Sequence, residues 1–289
     1  MSQRPLISYF CNGSVPLVDA LNRPYTHIIL SFLTSSAQSP FTLALSGAMA
    51  AQAVPPTLTQ SSLTAIRQLQ AKGIKVMVAY GGATMHSRDY AAAAGQEEQL
   101  AYALAEFVRQ YELDGIDIDW EDTAAFMGNG GYDGSDFLIR LTQALRQQLP
   151  AGRYQISHAP QPPYMVAGSG MDGYIKVMAE AGKAIDLVNM QFYNNPPWSG
   201  NPQQIVESYR QFAALPGVGT DKLVLGLPAA PHNAGPGSYL PASIIAQQII
   251  APLLAEGGIG GAMNWEFSGD ADGQWGQVIS QALAQTVTA

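Results

Sequence analysis

The residues of this 289-residue chain whose types and spacing point to chemistry lie in the run Leu113-Asp114-Gly115-Ile116-Asp117-Ile118-Asp119-Trp120-Glu121. Side chains on an extended strand alternate faces, so Asp117, Asp119 and Glu121 share one side while Ile116, Ile118 and Trp120 share the other. The apolar side must pack against covering elements, which turns the three carboxyls toward an interior with Glu121 nearest the strand's exit. Like charges a few ångströms apart in a low dielectric do not all ionise, so at least one proton is shared among them. Sharing of that kind separates pKa values and keeps one carboxyl protonated near neutral pH, as a general acid requires. The competing reading, acids solvated on an exposed edge or gathered round a cation, is disfavoured by their regular alternation with Ile, Ile and Trp.

Acids held this way need a sheet whose strands are buried on both faces. Short β-branched or aromatic runs at residues 6–10, 26–33, 75–82, 113–121, 154–159, 184–193, 222–228 and 261–267 alternate with longer amphipathic stretches. That is the pattern of a parallel sheet with helical crossovers, and eight units predict an α/β fold of the (β/α)8 TIM-barrel type. The clearest helices fall at 59–72, 96–111, 135–148, 202–213 and 243–255, with Thr59 and Asn201 at N-cap positions, Pro202 opening a helix and Gly73 closing one. Pro252 is expected to kink or shorten the last of these. With no linker-like stretch, residues 1–289 read as a single domain, and the short connection between the seventh and eighth strands leaves no room for an inserted α+β domain. Loops rich in Gly, Ser and Pro at 34–57, 83–95, 122–134, 160–173, 194–201, 229–240 and 268–273 follow the strands. They are expected to build the C-terminal face, where barrels of this type carry their active sites.

Composition narrows the partners. A net charge of −8 with no cluster of Lys and Arg disfavours nucleic acid and anionic membranes, and no run of 18 apolar residues exists to span a bilayer. Cys11 is the only cysteine, so neither an intramolecular disulfide nor a cysteine-based metal site is available. His27, His86, His158 and His232 lack metal-ligand spacing, and no metal or cofactor is expected. Near the Gly-rich segment before residue 135, Asp133 and Asp136 are weak calcium candidates, and helix capping by Ser135 or Asp136 is the preferred reading. The glycine run 257–261 precedes a strand and reads as a helix stop and turn on the N-terminal face. The apolar segment 6–10 is too short for the core of a signal peptide, so residues alone leave export and a cytoplasmic location both open.

The acidic run resembles that of the family 18 glycoside hydrolases, the chitinases and endo-β-N-acetylglucosaminidases, whose fourth strand carries D-x-x-D-x-D-x-E. Asp114, Asp117, Asp119 and Glu121 match it in full. Ala79-Tyr80-Gly81-Gly82 is similar to the family's S-x-G-G, with Ala79 in place of the usual Ser. Ala159-Pro160-Gln161 and Gln191-Phe192-Tyr193-Asn194-Asn195-Pro196 look like the hevamine-type and fungal subgroup, and Met263-Asn264-Trp265 ends the eighth strand as in the family.

The resemblance implies hydrolysis of β-1,4-linked N-acetylglucosamine, in chitin or its oligosaccharides, by a route in which the substrate's own acetamido group is the nucleophile. Glu121 is then the proton donor, Asp119 accepts from the acetamido N–H, Asp117 shares a proton with Asp119, and Tyr193 holds the acetamido oxygen. Gln191 and Asn194 are expected on the same sugar and Trp265 beneath it, with Gly81, Gly82 and Ala159 carried into the substrate-binding set by their motifs. Tyr9 and Phe32 either line the groove or fill the barrel mouth, and an inward Tyr9 sends Phe10 toward the helices. An export route follows from the substrate class, and a monomer is expected. Two alternatives stay open: cleavage of the chitobiose core of N-glycans, and a sugar-binding lectin without catalysis, the latter opposed by the presence of Glu121, Asp119 and Tyr193.

Overall fold

A computed structural model describes residues 3–47, 50–51 and 57–285. Its strands are β1 (Leu6–Phe10), β2 (His27–Ser36), β3 (Ser39–Leu45), β4 (Ala50–Ala51), β5 (Thr57–Leu58), β6 (Lys75–Gly81), β7 (Gly115–Asp119), β8 (Gln155–His158), β9 (Leu187–Gln191), β10 (Leu223–Pro228) and β11 (Gly261–Trp265). Its helices are α1 (Gln60–Ala71), α2 (Ser87–Ala91), α3 (Glu97–Gln110), α4 (Thr123–Phe126), α5 (Gly134–Gln148), α6 (Gly173–Ala181), α7 (Pro202–Ala213), α8 (Ala242–Ile245), α9 (Ala251–Glu256) and α10 (Gln274–Leu283).

Eight of the strands close into a ring of parallel neighbours in the order β1, β11, β10, β9, β8, β7, β6, β2, with β2 returning to β1. This is the (β/α)8 barrel, each strand after the first being followed by at least one helix. After β1 the connection holds only a 3-10 turn, Leu17–Asn22. Two apolar clusters divide the molecule as strand alternation demands. Ile7, Tyr9, Ile29, Met77, Ala79, Ala159, Leu187, Tyr193, Val224 and Met263 fill the barrel, and a larger shell between strands and helices takes Phe10, Ile116, Ile118 and Trp120. Phe10 therefore faces outward, as an inward Tyr9 requires.

Caps fix the helices around the ring. Thr59 accepts the Ser62 N–H to start α1, and Asn201 accepts the Gln204 N–H to start α7, with Pro202 as the first residue. For α5 the cap is Asp133, accepting the Asp136 N–H at 2.9 Å, and not Ser135 or Asp136. Gly134 lies inside that first turn, so the helix begins one residue earlier than its apolar periodicity shows. Pro252 perturbs the helix expected at 243–255 without ending it: a π-turn at Ala246–Ile250 lies between α8 and α9, with right-handed helical backbone on both sides. Only helices lie between β10 and β11. The 34–57 segment, expected as a loop, instead continues β2 to Ser36 and returns antiparallel as β3, raising a hairpin wall at the C-terminal end. Residues 48–49 and 52–56 of that segment lie outside the described ones.

Candidate active site

The acid strand delivers its carboxyls as alternation dictates. Asp117 is fully buried in the barrel, Asp119 sits above it and Glu121 is partly exposed at the mouth, beyond the last ladder residue of β7. Asp114 belongs to another place: its carboxylate accepts from the Val76 N–H and the Gln70 amide, both at 2.9 Å, and ties the lower end of the strand to β6 and α1.

Donors from three strands meet Asp117. The Tyr9 hydroxyl donates at 2.7 Å, the Ser157 hydroxyl at 2.5 Å and the Asn189 amide at 3.2 Å. Burial pushes Asp117 up to about 6 in spite of these three bonds, which favour its charged form. Asp119 is raised well above the ordinary carboxylate range, first by burial and then by the charges of Glu121 and Asp117. Burial raises Glu121 as well, opposed by its hydrogen bonds with Gln191 and Asp119. The Gln191 amide reaches both carboxyls, and with both raised by burial, one proton between them relieves the like charge. The resemblance implies a proton shared between Asp117 and Asp119, and here the Asp117 carboxylate also accepts from Tyr9, Ser157 and Asn189.

Gln191, expected on the sugar, turns its amide N–H groups to the acids: Nε2 lies 2.9 Å from Asp119 Oδ1, 3.3 Å from Glu121 Oε1 and 2.9 Å from the Ala159 carbonyl. It braces the carboxyl pair from β9, and Ala159 contributes its carbonyl to hold that brace. Asn194 does not join the cluster. Its side-chain oxygen accepts the Gly235 N–H at 2.7 Å and its backbone N–H donates to Ser238 at 2.9 Å, pinning the 229–240 loop over the end of β9.

Tyr193 is buried at the mouth, and burial together with the charges of Asp119, Glu121 and Asp117 raises its pKa well above the usual phenol value. It remains a neutral hydroxyl, able to donate. Trp265 ends β11 with its ring 5.8 Å from those of both Tyr9 and Phe32, the latter nearly stacked at 29°. Tyr9 thus serves the barrel interior and Asp117, while Phe32 and half-buried Trp265 make the apolar floor of the mouth. Gly81 and Gly82 are explained by backbone approach: at Gly81, with φ of +119°, a Cβ would lie 2.1 Å from the Asp119 carbonyl oxygen, and at Gly82 one would meet the Phe32 ring at 3.1 Å. The Gly82 N–H donates to that same carbonyl at 2.7 Å. Ser157, Asn189 and Asp122 were not marked by the sequence, since single Ser, Asn and Asp residues carry no periodic signal. Among the described residues no group of His, Cys, Asp and Glu could hold a metal ion, and no helix is long and apolar enough to cross a membrane.

The acids, the neutral Tyr193 and the Phe32–Trp265 floor gather at the C-terminal mouth of a closed parallel barrel, the end at which barrels of this type carry their active sites. Residues 7–239 match the glycosyl hydrolases family 18, and the chain belongs to that family. The crystal structure of a family 18 chitinase from Pseudoalteromonas aurantia superposes with a TM-score of 0.93 at 46% identity, covering 96% of this chain and 99% of that one. An acidic endochitinase of Arabidopsis thaliana is 29% identical over 222 residues, 74% of this chain and 69% of its own length. A basic endochitinase of Nicotiana tabacum is 28% identical over 286 residues, 94% of this chain and 88% of its own.

Proposed function

We propose that this chain is an endo-acting chitinase, cutting β-1,4 linkages between N-acetylglucosamine units with retention of configuration. The observation that carries this reading is the Asp119–Glu121 pair at the mouth, joined by the Gln191 amide and raised by burial, above a third acid that accepts from three donors. Relatives named as chitinases supply the substrate class.

Glu121 is the outermost acid and the only one of the three that is partly exposed. Protonated, it gives its proton to the glycosidic oxygen as the bond from the anomeric carbon to that oxygen breaks. The acetamido carbonyl oxygen bonds to the anomeric carbon from the other side, closing an oxazolinium ring on the sugar. Asp119, freed of the shared proton, turns its negative charge to the acetamido N–H and stabilises that cation. The Tyr193 hydroxyl orients the attacking oxygen. Water, losing a proton to the Glu121 carboxylate, then opens the ring and yields the β-anomer. Trp265 and Phe32 supply the apolar surface for the pyranose face. With only helices between β10 and β11, no added domain deepens the cleft on that side, which supports binding a chain at internal positions.

Replacing Glu121 with Gln tests the assignment. Turnover of chitin hexamer is expected to fall by at least about a thousand-fold, while oligomer binding measured by calorimetry stays within a few-fold. Retained hydrolysis in that variant removes Glu121 from the role. A product profile on chitin hexamer beside a high-mannose glycopeptide separates this reading from N-glycan core cleavage.

A further inference from the structure

Glu121 carries the proton in the reading above, yet it lies past the last residue of β7, so no ladder hydrogen bond holds it. Gln191 braces its carboxyl, and the backbone that carries it is tied down by the residue that follows. Asp122 is buried, and its two carboxylate oxygens take different loops. Oδ1 accepts the Ser87 hydroxyl of α2 at 2.7 Å and, more weakly, the Ala125 N–H of α4 at 3.4 Å. Oδ2 accepts the Tyr132 hydroxyl at 2.8 Å. That hydroxyl in turn accepts the indole N–H of Trp120 at 2.9 Å. The residues on either side of Glu121 are therefore tied to one carboxylate, directly at Asp122 and through Tyr132 at Trp120. A second clasp lies one residue further, where Thr123 and Tyr164 hydroxyls meet at 2.6 Å. Trp120 itself is sealed among Phe126, Tyr164 and Tyr174, which leaves the brace no slack.

Resting on that functional reading, we propose that Asp122 is a positioning residue for the general acid, holding the Glu121 carboxyl against Asp119 and within reach of the scissile oxygen without touching substrate. Charge and geometry both fit. A carboxylate accepts four hydrogen bonds and donates none, and every group facing Asp122 in these bonds is a donor. Asparagine keeps the acceptor toward Ser87 and Ala125 but presents N–H to Tyr132, which leaves the tyrosine proton without its acceptor. Alanine removes both arms. Catalysis is sensitive at this point, since a displacement of about 1 Å at the reacting group costs on the order of a hundred-fold in rate.

The test compares Asp122→Ala, Asp122→Asn and Tyr132→Phe with the parent on N-acetylglucosamine oligomers, alongside 13C NMR titration of the Glu121 carboxyl. Asp122→Ala is expected to lower kcat by about ten- to a hundred-fold with KM within about threefold, Asn to recover part of the loss, and Tyr132→Phe to fall between Asn and the parent. In the Ala variant the Glu121 titration and the basic limb of kcat/KM both move to lower pH, because a carboxyl released toward solvent loses the burial that raises it, the larger effect, along with the Gln191 and Asp119 hydrogen bonds that oppose that rise. Asp133→Ala, which uncaps α5 in the same loop without reaching Glu121, is expected to lose stability and keep its kcat. If Asp122→Ala is too unstable to assay, Tyr132→Phe carries the same comparison. Parental kcat and an unmoved Glu121 titration in Tyr132→Phe and Asp122→Asn would overturn the proposal while leaving Glu121 as the acid. An active Glu121→Gln enzyme would instead overturn the functional reading, and the NMR titration would still report whether Asp122 holds that carboxyl in place.

Discussion

Three donors reach the Asp117 carboxylate, yet its pKa stands near 6, because taking the charge out of water outweighs what the three hydrogen bonds return. The folded-state value is above the ordinary 3.8, so the folded protein binds the proton more tightly than the unfolded chain. Stability from the neutral acid is whole below about pH 4 and is lost as pH rises through about 6. Asp117→Asn lacks that loss. Its stability relative to the parent, read from urea unfolding, is expected to improve between pH 4 and 7 by up to about 3 kcal/mol, whatever constant offset the lost acceptor imposes. At the mouth, Tyr193→Phe removes a hydroxyl whose partner is expected to gain charge only as the ring closes. Turnover of chitin hexamer should fall about ten- to a hundred-fold and oligomer affinity by less than about threefold; equal losses in both would reduce Tyr193 to a ground-state contact. The acids were legible because strand alternation dictates which face they take, whereas Tyr193 and Trp265 were marked by motifs similar to the family's. The destinations of Gln191 and Asn194 were not legible, since an amide satisfies whichever acceptor or donor the neighbouring strand or loop brings, and that neighbour is far away in sequence.

Elements decide how firmly the mouth is held. Helix α5 starts at the end of the loop that carries Asp122 and Tyr132, and its first turn depends on Asp133 accepting the Asp136 N–H. Asp133→Ala is expected to cost about 1 kcal/mol in urea unfolding, and no change there would mean that water or a neighbouring loop caps the helix instead. Ser135 stood in the cap position by sequence because apolar periodicity begins after it; Gly134 enters the helix first, carrying no side chain to register that period. The β2–β3 hairpin escaped notice for a related reason. Phe41, Leu43 and Leu45 do alternate, but Ser39 and Pro40 beside them read as turn residues, and three apolar positions make the shortest strand signal there is. The short helices α2 and α4 are below the length at which periodicity speaks, and tertiary hydrogen bonds such as Ser87 to Asp122 hold them. Pro252 was legible as a kink or an early stop, whereas the form the perturbation takes, a π-turn within a continuing helix, depends on how α8 and α9 pack on the barrel.

At the scale of the whole molecule, the barrel was readable because its eight strand runs recur with helices between them, and the ring closure of β1 on β2 and β11 follows from that count. In the proposed reading the mouth's function rests on one asymmetry: the chain supplies an acid, an electrostatic partner and an orienting hydroxyl, and the substrate supplies the nucleophile. Measuring the hydrolysis of fully acetylated and fully deacetylated glucosamine hexamers side by side tests this most directly. The acetylated chain is expected to be cut at least about a thousand-fold faster, since removing the acetyl group removes a nucleophile already in place. Rates within a few-fold of each other would contradict the account.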